Sequence, residues 1–449
     1  MPAPTRTDPV RVARWGLFVL TFVNLFNYLD RNVVAALLQN LKTDLLLTDV
    51  QLGWLGTGFV VVYMLTSPIF GTLGDRGKRP RLIATGVAIW SVATALGGFA
   101  RGFTSLFLAR STVGVGEAAY GSVSPALLAD YFPLEKRGRV FAVFSAAIPI
   151  GSAAGYMLGG FVAGHWGWRA AFFVAGVPGL LLAWLTARLI DPPRGAQEGA
   201  AVEAAGHGVT LGRQALAAYT GLLRNGPYVL NVLGYAAYTF ALGALAFWTP
   251  AFLERERGLP QADATVQFGA IVVVTGFVGT FLGGWLGDKL LPRFRESYLW
   301  VSGVSALAAV PFAWLVFTAH DRWLYTAAMV IAETLIFVST GPVNSAIINV
   351  VEPERRATAV ALSILAIHLL GDVPSPPLIG FVSDHSSLGR ALLILPVAFG
   401  VSGLIWMFAA WRGGRTLTPG PSPFPSRPPS QGEGRKTTAL TDQDPRDAS

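Results

Sequence analysis

The sequence contains no cysteine, and it has few charged residues for its length. Without cysteine there can be no disulfide framework and no metal site built on thiolates. Charged residues make up 13% of the chain, compared with roughly 25% in soluble domains. None of the histidines begins a His-Glu-x-x-His motif, and no Gly-x-Ser-x-Gly motif occurs. We therefore expect no metal, no cofactor and no enzymatic activity, and an intramembrane enzyme is the least favoured class.

Long hydrophobic runs are what the chain has in abundance. Hydrophobic residues make up 52% of its 449 residues, and several runs exceed the roughly 18 residues that indicate a transmembrane helix. Backbone groups in lipid must pair within their own segment, so each run is predicted to be helical. The fold class is an all-α membrane protein with twelve spans, at about 15–38, 51–73, 82–100, 105–132, 139–163, 168–189, 228–252, 266–290, 298–319, 323–350, 357–382 and 389–411.

The positive charges lie mainly in loops on one side of the predicted spans. With the N-terminus inside, the inner loops carry sixteen Lys and Arg and the outer loops seven. The positive-inside rule then places both termini in the cytoplasm. It also explains the net charge of +8 without nucleic acid. The first run carries charges and lacks a small-residue cleavage site, so we expect an uncleaved multi-pass protein. The composition of its loops indicates a bacterial cytoplasmic (inner) membrane.

A loop rich in Gly, Ala and Pro at 191–226 separates six spans from six. We predict an N-terminal six-helix bundle at 1–194, a cytoplasmic linker at 195–226, a C-terminal six-helix bundle at 227–415 and a disordered tail at 416–449. Between Arg213 and Arg224, a short amphipathic surface helix and a solvated linker are both open. The tail is either a flexible functional segment or an extension without a role.

Two inner-loop motifs repeat between the halves. Pro133-Leu-Glu-Lys-Arg-Gly-Arg after the fourth span resembles Pro353-Glu-Arg-Arg-Ala-Thr-Ala after the tenth. Gly71-Thr-Leu-Gly-Asp75-Arg76 ends the second span, and Gly284-Trp-Leu-Gly-Asp288-Lys289 ends the eighth. Such repeats predict parallel halves about an axis along the membrane normal, with a cavity between them. Each Asp and its neighbouring cation can bind a nearby helix end, so we predict that these pairs gate the inner side. For Arg79 and Arg81 we expect ordinary loop charges.

Four ionisable residues lie within two predicted spans of the first half. Asp30 and Arg31 interrupt the first span, and Arg110 and Glu117 lie two helical turns apart in the fourth. Charges at this depth are costly, which favours one shared cluster facing a wet cavity. Two nearby carboxylates cannot easily both stay ionised, so Asp30 and Glu117 are the predicted proton carriers. The alternative is a static ion-pair network that only holds helices together.

The second half has fewer membrane charges. Glu333 lies in the tenth span, and His368 and Asp372 lie near the middle of the eleventh. Glu333 is either a functional residue or a group satisfied by a local hydrogen bond, and His368 and Asp372 have either a binding role or a structural one. Three prolines then follow within four positions and cannot continue a regular helix. We predict a hinge or gate beside the cavity at Pro374 and Pro376.

With these residues in view, the chain resembles the major facilitator superfamily and, within it, the spinster-like (sphingolipid transporter) family. The resemblance rests on Asn27-Tyr-Leu-Asp30-Arg31, Gly74-Asp75-Arg76, Arg110 through Glu117, Ile148 through Tyr156, Ala246 through Pro250, and Leu370 through Asp384. It implies alternating access between two six-helix bundles and a proton-linked site at Asp30 and Glu117, with Arg31 and Arg110 beside them. Eukaryotic members are associated with sphingosine phosphate and lysophospholipids.

Together these features predict a proton-coupled secondary transporter for an amphiphilic anion or a lysolipid-like molecule. Protonation of Asp30 and Glu117 would be exchanged against substrate, while cations hold the headgroup and aromatic residues the tail. Candidate substrate or charge partners are Arg31, Arg110, Asn27, Glu333, His368 and Asp372. The alternative is a transporter for small organic acids or drugs. We expect protons, one small substrate and the bilayer as partners, and a monomer.

Overall fold

A computed structural model describes residues 8–197, 220–351 and 355–416, and every regular element within these ranges is a helix. The first half contains seven α-helices and one short 3₁₀ turn. They are α1 (Pro9–Val33), the 3₁₀ turn (Ala35–Leu37), α2 (Leu38–Asp44), α3 (Asp49–Arg76), α4 (Arg79–Gly97), α5 (Phe103–Tyr131), α6 (Leu134–Trp166) and α7 (Trp168–Ala187).

The second half begins with a helical turn at 220–224. It continues with α8 (Gly226–Arg255), α9 (Gln261–Leu290), α10 (Ser297–Thr318), α11 (Arg322–Val338), α12 (Thr340–Asn349), α13 (Arg356–Ile367), a π-helical turn (His368–Asp372), α14 (Ser375–His385), α15 (Leu388–Leu392) and α16 (Ile394–Thr416). Most of the predicted linker, most of the possible helix from Arg213 to Arg224 and nearly all of the tail lie outside the described residues.

Eleven helical segments of the described chain are long and apolar enough to cross a membrane. They correspond to eleven of the twelve predicted spans. The remaining one is α5, which has 29 residues but does not reach the required apolarity. Its charged Arg110 and Glu117, together with many Ser, Thr and Gly residues, lower its mean hydropathy.

Three of the predicted spans are not continuous α-helices. The first was expected to be uninterrupted but ends as an α-helix at Val33, where the 3₁₀ turn follows. The tenth is divided at Ser339, between α11 and α12. The eleventh is interrupted as predicted, because the π-helical turn ends at Asp372 and a new helix begins after Pro374.

The two halves contact each other at the end of the molecule that carries the α2–α3 loop. We call this end the first-loop face. There α3 packs against α14, and α6 packs against α9. Glycines make the first contact close, because a Cβ on Gly53 would lie only 2.6 Å from the backbone nitrogen of Pro377. The Tyr156 hydroxyl also donates to the Ala246 carbonyl across the halves, at 2.8 Å.

Candidate functional site

Four charged side chains meet between α1 and α5 in two crossed ion pairs. Arg31 Nε lies 2.6 Å from Glu117 Oε2, and Arg110 Nη1 lies 3.7 Å from Asp30 Oδ1. Neighbouring residues on α1 therefore bind residues two turns apart on α5. We call Asp30, Arg31, Arg110 and Glu117 the central cluster; its assembly is the arrangement predicted from the sequence.

Helix geometry explains the crossing. Adjacent residues point about 100° apart around an α-helix, so Asp30 and Arg31 cannot share one partner easily. Seven residues return to the same face about 10 Å further along, which sets Arg110 and Glu117 at two heights of α5. Gly114 of α5 lets α3 approach, since a Cβ there would lie 2.6 Å from the Phe59 carbonyl oxygen.

Aromatic rings of α1 and α3 surround the arginines. The Arg31 guanidinium lies 5.1 Å from the ring centre of Tyr28 and 5.0 Å from those of Phe59 and Tyr63. The Arg110 guanidinium lies 5.3 Å from the same Phe59 ring. One ring therefore contacts both cations, and cation–π attraction offsets part of the repulsion between them. Phe59 and Tyr63 were not predicted as site residues, although their four-residue spacing places them on one helical face.

Not every polar atom of the central cluster is paired within the described chain. Thr94 of α4 donates to Asp30 Oδ2, and Asp30 Oδ1, Glu117 Oε1 and Asn27 Nδ2 have no hydrogen-bond partner there. Buried polar atoms without partners are costly and suit a proton, a water molecule or a ligand. The sequence does not single out Thr94, because a threonine hydroxyl in an apolar helix usually donates a hydrogen bond to a backbone carbonyl of the same helix.

The two cations differ in exposure. The Arg31 side chain is 26% exposed although its partner Glu117 is fully buried, and the Arg110 side chain is only 4% exposed. Arg31 is therefore the cation that an incoming anion can reach, whereas Arg110 and Asp30 form an enclosed pair.

Glu333 does not join the central cluster through any hydrogen bond or ion pair of the described residues. It is buried on α11, and its Oε2 accepts a hydrogen bond from Thr275 of α9 at 3.1 Å. Its Oε1 has no partner in the described chain, and the residue lines a small apolar cavity. The predicted local hydrogen bond is present, and a binding role stays a prediction.

His368 and Asp372 form a pair on the π-helical turn. His368 Nδ1 lies 2.9 Å from Asp372 Oδ2, and about a quarter of each side chain is exposed. Gly243 of α8 permits close approach of this turn, since a Cβ on Gly243 would lie 2.7 Å from the Cβ of Asp372. The structure brings these two residues together but pairs neither with the central cluster.

The predicted gating residues lie at two ends of the molecule. Asp75 and Arg76 are exposed at the end of α3. Asp288 accepts a hydrogen bond from Tyr298 at 2.8 Å, and Lys289 lies over the Trp285 ring. Pro374 and Pro376 flank the start of α14 near the first-loop face, where the Pro376 carbonyl accepts a hydrogen bond from Trp248.

Arg79 is not an ordinary loop charge, so that expectation was wrong. Its side chain is only 3% exposed and forms ion pairs with Asp130 of α5 and with Asp191, which follows α7. It also donates to the Pro192 carbonyl at 2.7 Å. Asp130 and Asp191 are distant from Arg79 in the sequence, and no sequence motif links the three residues. Arg81 is exposed, as expected.

No group of three or more His, Asp or Glu within the described ranges could hold a metal ion. The chemistry that the central cluster offers is proton transfer and anion binding.

Comparison with known proteins assigns the chain to a family. The model of the Major Facilitator Superfamily matches residues 20–371. The chain is 34% identical to protein spinster of Drosophila melanogaster over 395 residues, covering 85% of this chain and 64% of that protein. It is 33% identical to the sphingosine-1-phosphate transporter SPNS2 of Danio rerio, covering 87% of this chain and 83% of that protein.

A solved structure is similar as well. It is a bacterial homologue of the human lysosomal transporter spinster, in an inward-facing and occupied conformation. It superposes with a TM-score of 0.76 at 23% identity, covering 92% of this chain and 98% of that one. At this identity the likeness shows the fold. The chain is therefore a multi-pass membrane protein that belongs to the major facilitator superfamily and, within it, to the spinster-like transporters.

Proposed function

We propose that the chain is a proton-coupled secondary transporter that moves an amphiphilic anion of the lysolipid or sphingolipid type by alternating access. The observation that carries this proposal is the Arg31–Glu117 pair. A cation with about a quarter of its side chain exposed is held by a fully buried carboxylate whose second oxygen has no partner in the described chain. In this proposal the same cation binds either that carboxylate or an external anion.

Proton binding would decide between the two partners of Arg31. A proton on Glu117 removes the charge that holds Arg31, which frees the guanidinium for a phosphate or carboxylate headgroup. Loss of that proton restores the internal pair and expels the anion. This scheme favours joint binding of proton and anion, in place of the exchange expected from the sequence. Asp30, paired with the enclosed Arg110, is the second proposed proton carrier.

A lipid-like substrate is favoured by the aromatic surroundings of Arg31 and by the family. Tyr28, Phe59 and Tyr63 provide apolar surface directly beside the cation. One relative carries sphingosine-1-phosphate transport in its name. Asn27, Glu333, His368 and Asp372 are proposed as further substrate contacts.

The architecture that we propose for this cycle has twelve spans, with α5 as the least apolar. Residues 1–194 and 227–415 form two six-helix bundles joined by a cytoplasmic linker, both termini are cytoplasmic, and the protein is a monomer in a bacterial cytoplasmic membrane. Asp75, Arg76, Asp288 and Lys289 gate the inner side, while Pro374 and Pro376 act as the hinge of the broken helix.

Transport in proteoliposomes with an imposed pH gradient tests the proposal. We expect gradient-driven movement of a labelled lysophospholipid or sphingosine phosphate, and we expect Glu117→Gln and Asp30→Asn each to uncouple it. The matched control is Asp44→Asn, because Asp44 forms a half-exposed pair with Arg169 away from the central cluster. If both cluster variants kept gradient-driven transport, proton coupling at this site would be refuted. Competition by sugars and carboxylates, but not by lysolipids, would support a small-solute transporter.

A further inference from the structure

The helix that carries Asp30 and Arg31 breaks one turn beyond them without a local reason. The break at residues 34–37 has the sequence Val-Ala-Ala-Leu, which contains neither proline nor glycine. Sharp interruptions of helices usually arise at such residues, at π-bulges, or where another group inserts into the hydrogen-bond ladder. The cause here has to come from outside the segment.

Gln261 of the second half reaches the break. It is the first residue of α9, and its Nε2 donates to the carbonyl oxygen of Ala36 at 2.7 Å and also to Asn40 of α2. A second-half side chain therefore binds the backbone where α1 stops being regular.

Arg255 binds the next part of the same segment. Its Nε donates to Gln39 Oε1 at 2.6 Å, and its Nη1 lies 2.8 and 2.9 Å from the two carboxylate oxygens of Asp49. Asp49 is 1% exposed, and its carboxylate also accepts hydrogen bonds from Lys42 of α2 and Ser383 of α14. A buried carboxylate of the first half thus depends on a cation from the second half for part of its charge compensation.

The start of α3 is held across the halves as well. Both carboxylate oxygens of Asp384, at the end of α14, accept hydrogen bonds from the backbone nitrogens of Asp49 and Val50, at 2.8 and 2.9 Å. These are donors of a helix N-terminus, where a carboxylate is favoured. The second half therefore forms hydrogen bonds with α2 and with the start of α3, on both sides of the α2–α3 loop.

We propose that Arg255 and Gln261, bound to Gln39, Asn40, Ala36 and Asp49, form a latch that holds the first-loop face shut through the broken segment beyond α1. The inference rests on the proposed alternating access, because the latch has to release before this face can open. Arg255 and Gln261 are positioning residues: neither contacts the central cluster. Because the latch binds the continuation of α1, its release would act on the helix that carries Asp30 and Arg31.

The chain offers a direct test because it has no native cysteine. Spin labels are attached to cysteines introduced at Leu46 and Trp323, which are 86% and 83% exposed and lie in different halves. Pulsed electron resonance then measures the distance between them in nanodiscs without substrate. The latch variants are Arg255→Gln and Gln261→Ala.

Matched controls lie close by. Arg257→Gln removes the same charge two residues away, but Arg257 donates to the Val316 carbonyl within its own half. Gln267→Ala changes a glutamine of the same helix that donates to Thr326, also in the second half. We require near-parental thermal unfolding from each variant, so that a distance change is read only from folded protein.

Arg255→Gln should raise the ratio of long to short distances at least about tenfold, because it leaves buried Asp49 under-compensated. Gln261→Ala should raise it about fivefold, since it removes neutral hydrogen bonds. Both controls should match the parent. Distance distributions of the two latch variants that superimpose on the parent would overturn the latch. The transport assay is separate, so a failure of proton coupling leaves this measurement interpretable.

Discussion

At the residue scale, the central cluster depends on one cation that has two possible partners. Arg31 is paired with Glu117 in this structure, yet a quarter of its side chain is accessible. The enclosed Asp30–Arg110 pair has no comparable opening. The unequal exposure of the two ion pairs distinguishes the Arg31 pair, which we propose to exchange partners, from the enclosed Arg110 pair.

Arg79 provides a prediction about stability at this scale. Arg79→Gln should lower the free energy of unfolding by roughly 3–5 kcal/mol, because it leaves Asp130 and Asp191 without the cation between them. Denaturant unfolding in detergent measures the change.

Arg81→Gln is the control for that experiment, since Arg81 is exposed two residues away. It should stay within about 0.5 kcal/mol of the parent. Equal effects of the two substitutions would contradict the structural role assigned to Arg79.

The sequence predicted the charged members of the site and Asn27, but not the neutral neighbours Phe59, Tyr63 and Thr94. Asp30, Arg31, Arg110 and Glu117 stand out because ionised groups are rare and expensive in apolar helices. Phe59 and Thr94 do not, because an aromatic ring or a hydroxyl in a membrane helix is common. Their roles depend on how α3 and α4 are rotated against α5, and only packing determines that rotation.

At the element scale, one helix break lies where the halves meet, and the other two lie beside prolines. The π-helical turn and α14 follow from the prolines after Asp372, so the eleventh span was correctly predicted to be broken. The break after Val33 has no such marker, whereas the break at Ser339 is followed by Gly341 and by Pro342, which cannot bond to the Val338 carbonyl. The first coincides with hydrogen bonds from the opposite half, which sequence patterns within α1 cannot reveal.

Gly53 gives a prediction at this scale. Gly53→Ala places a methyl group against the backbone at Pro376 and Pro377, at the contact of α3 with α14. We expect a lower melting temperature and a larger open population at the first-loop face, because two backbones at contact distance cannot move aside cheaply.

Gly71→Ala tests the same helix without the contact. A Cβ at Gly71 meets no other atom within 4 Å, so the substitution should be neutral or stabilising by up to about 1 kcal/mol. If Gly71→Ala destabilised the protein as much as Gly53→Ala, the effect would come from alanine in this helix and not from the contact between α3 and α14.

At the scale of the whole molecule, hydrophobic run length predicted the helical class, and repeated motifs predicted two related halves. Eleven segments satisfy the length and apolarity of a membrane span. The helix that falls short, α5, carries two members of the central cluster. The span that carries half of the proposed site is thus the one whose composition falls short of that of a simple membrane anchor.

Membrane orientation is testable with single cysteines in the naturally cysteine-free chain. A cysteine at Leu46 should react with a membrane-impermeant maleimide in intact cells, because the α2–α3 loop is predicted to face outward. A cysteine at Arg76 should react only after lysis. Both positions are exposed, so accessibility within the fold does not limit either reaction, and the reverse pattern would refute cytoplasmic termini.

The crossed ion pairs have an electrical consequence. Two guanidinium groups and two carboxylates sum to zero charge, and all four come from the first half. Moving a full elementary charge through a potential of 100 mV costs about 2.3 kcal/mol, so in the alternating access that we propose these four charges would add no net work against the membrane voltage. One proton bound together with one monovalent anion preserves that neutrality.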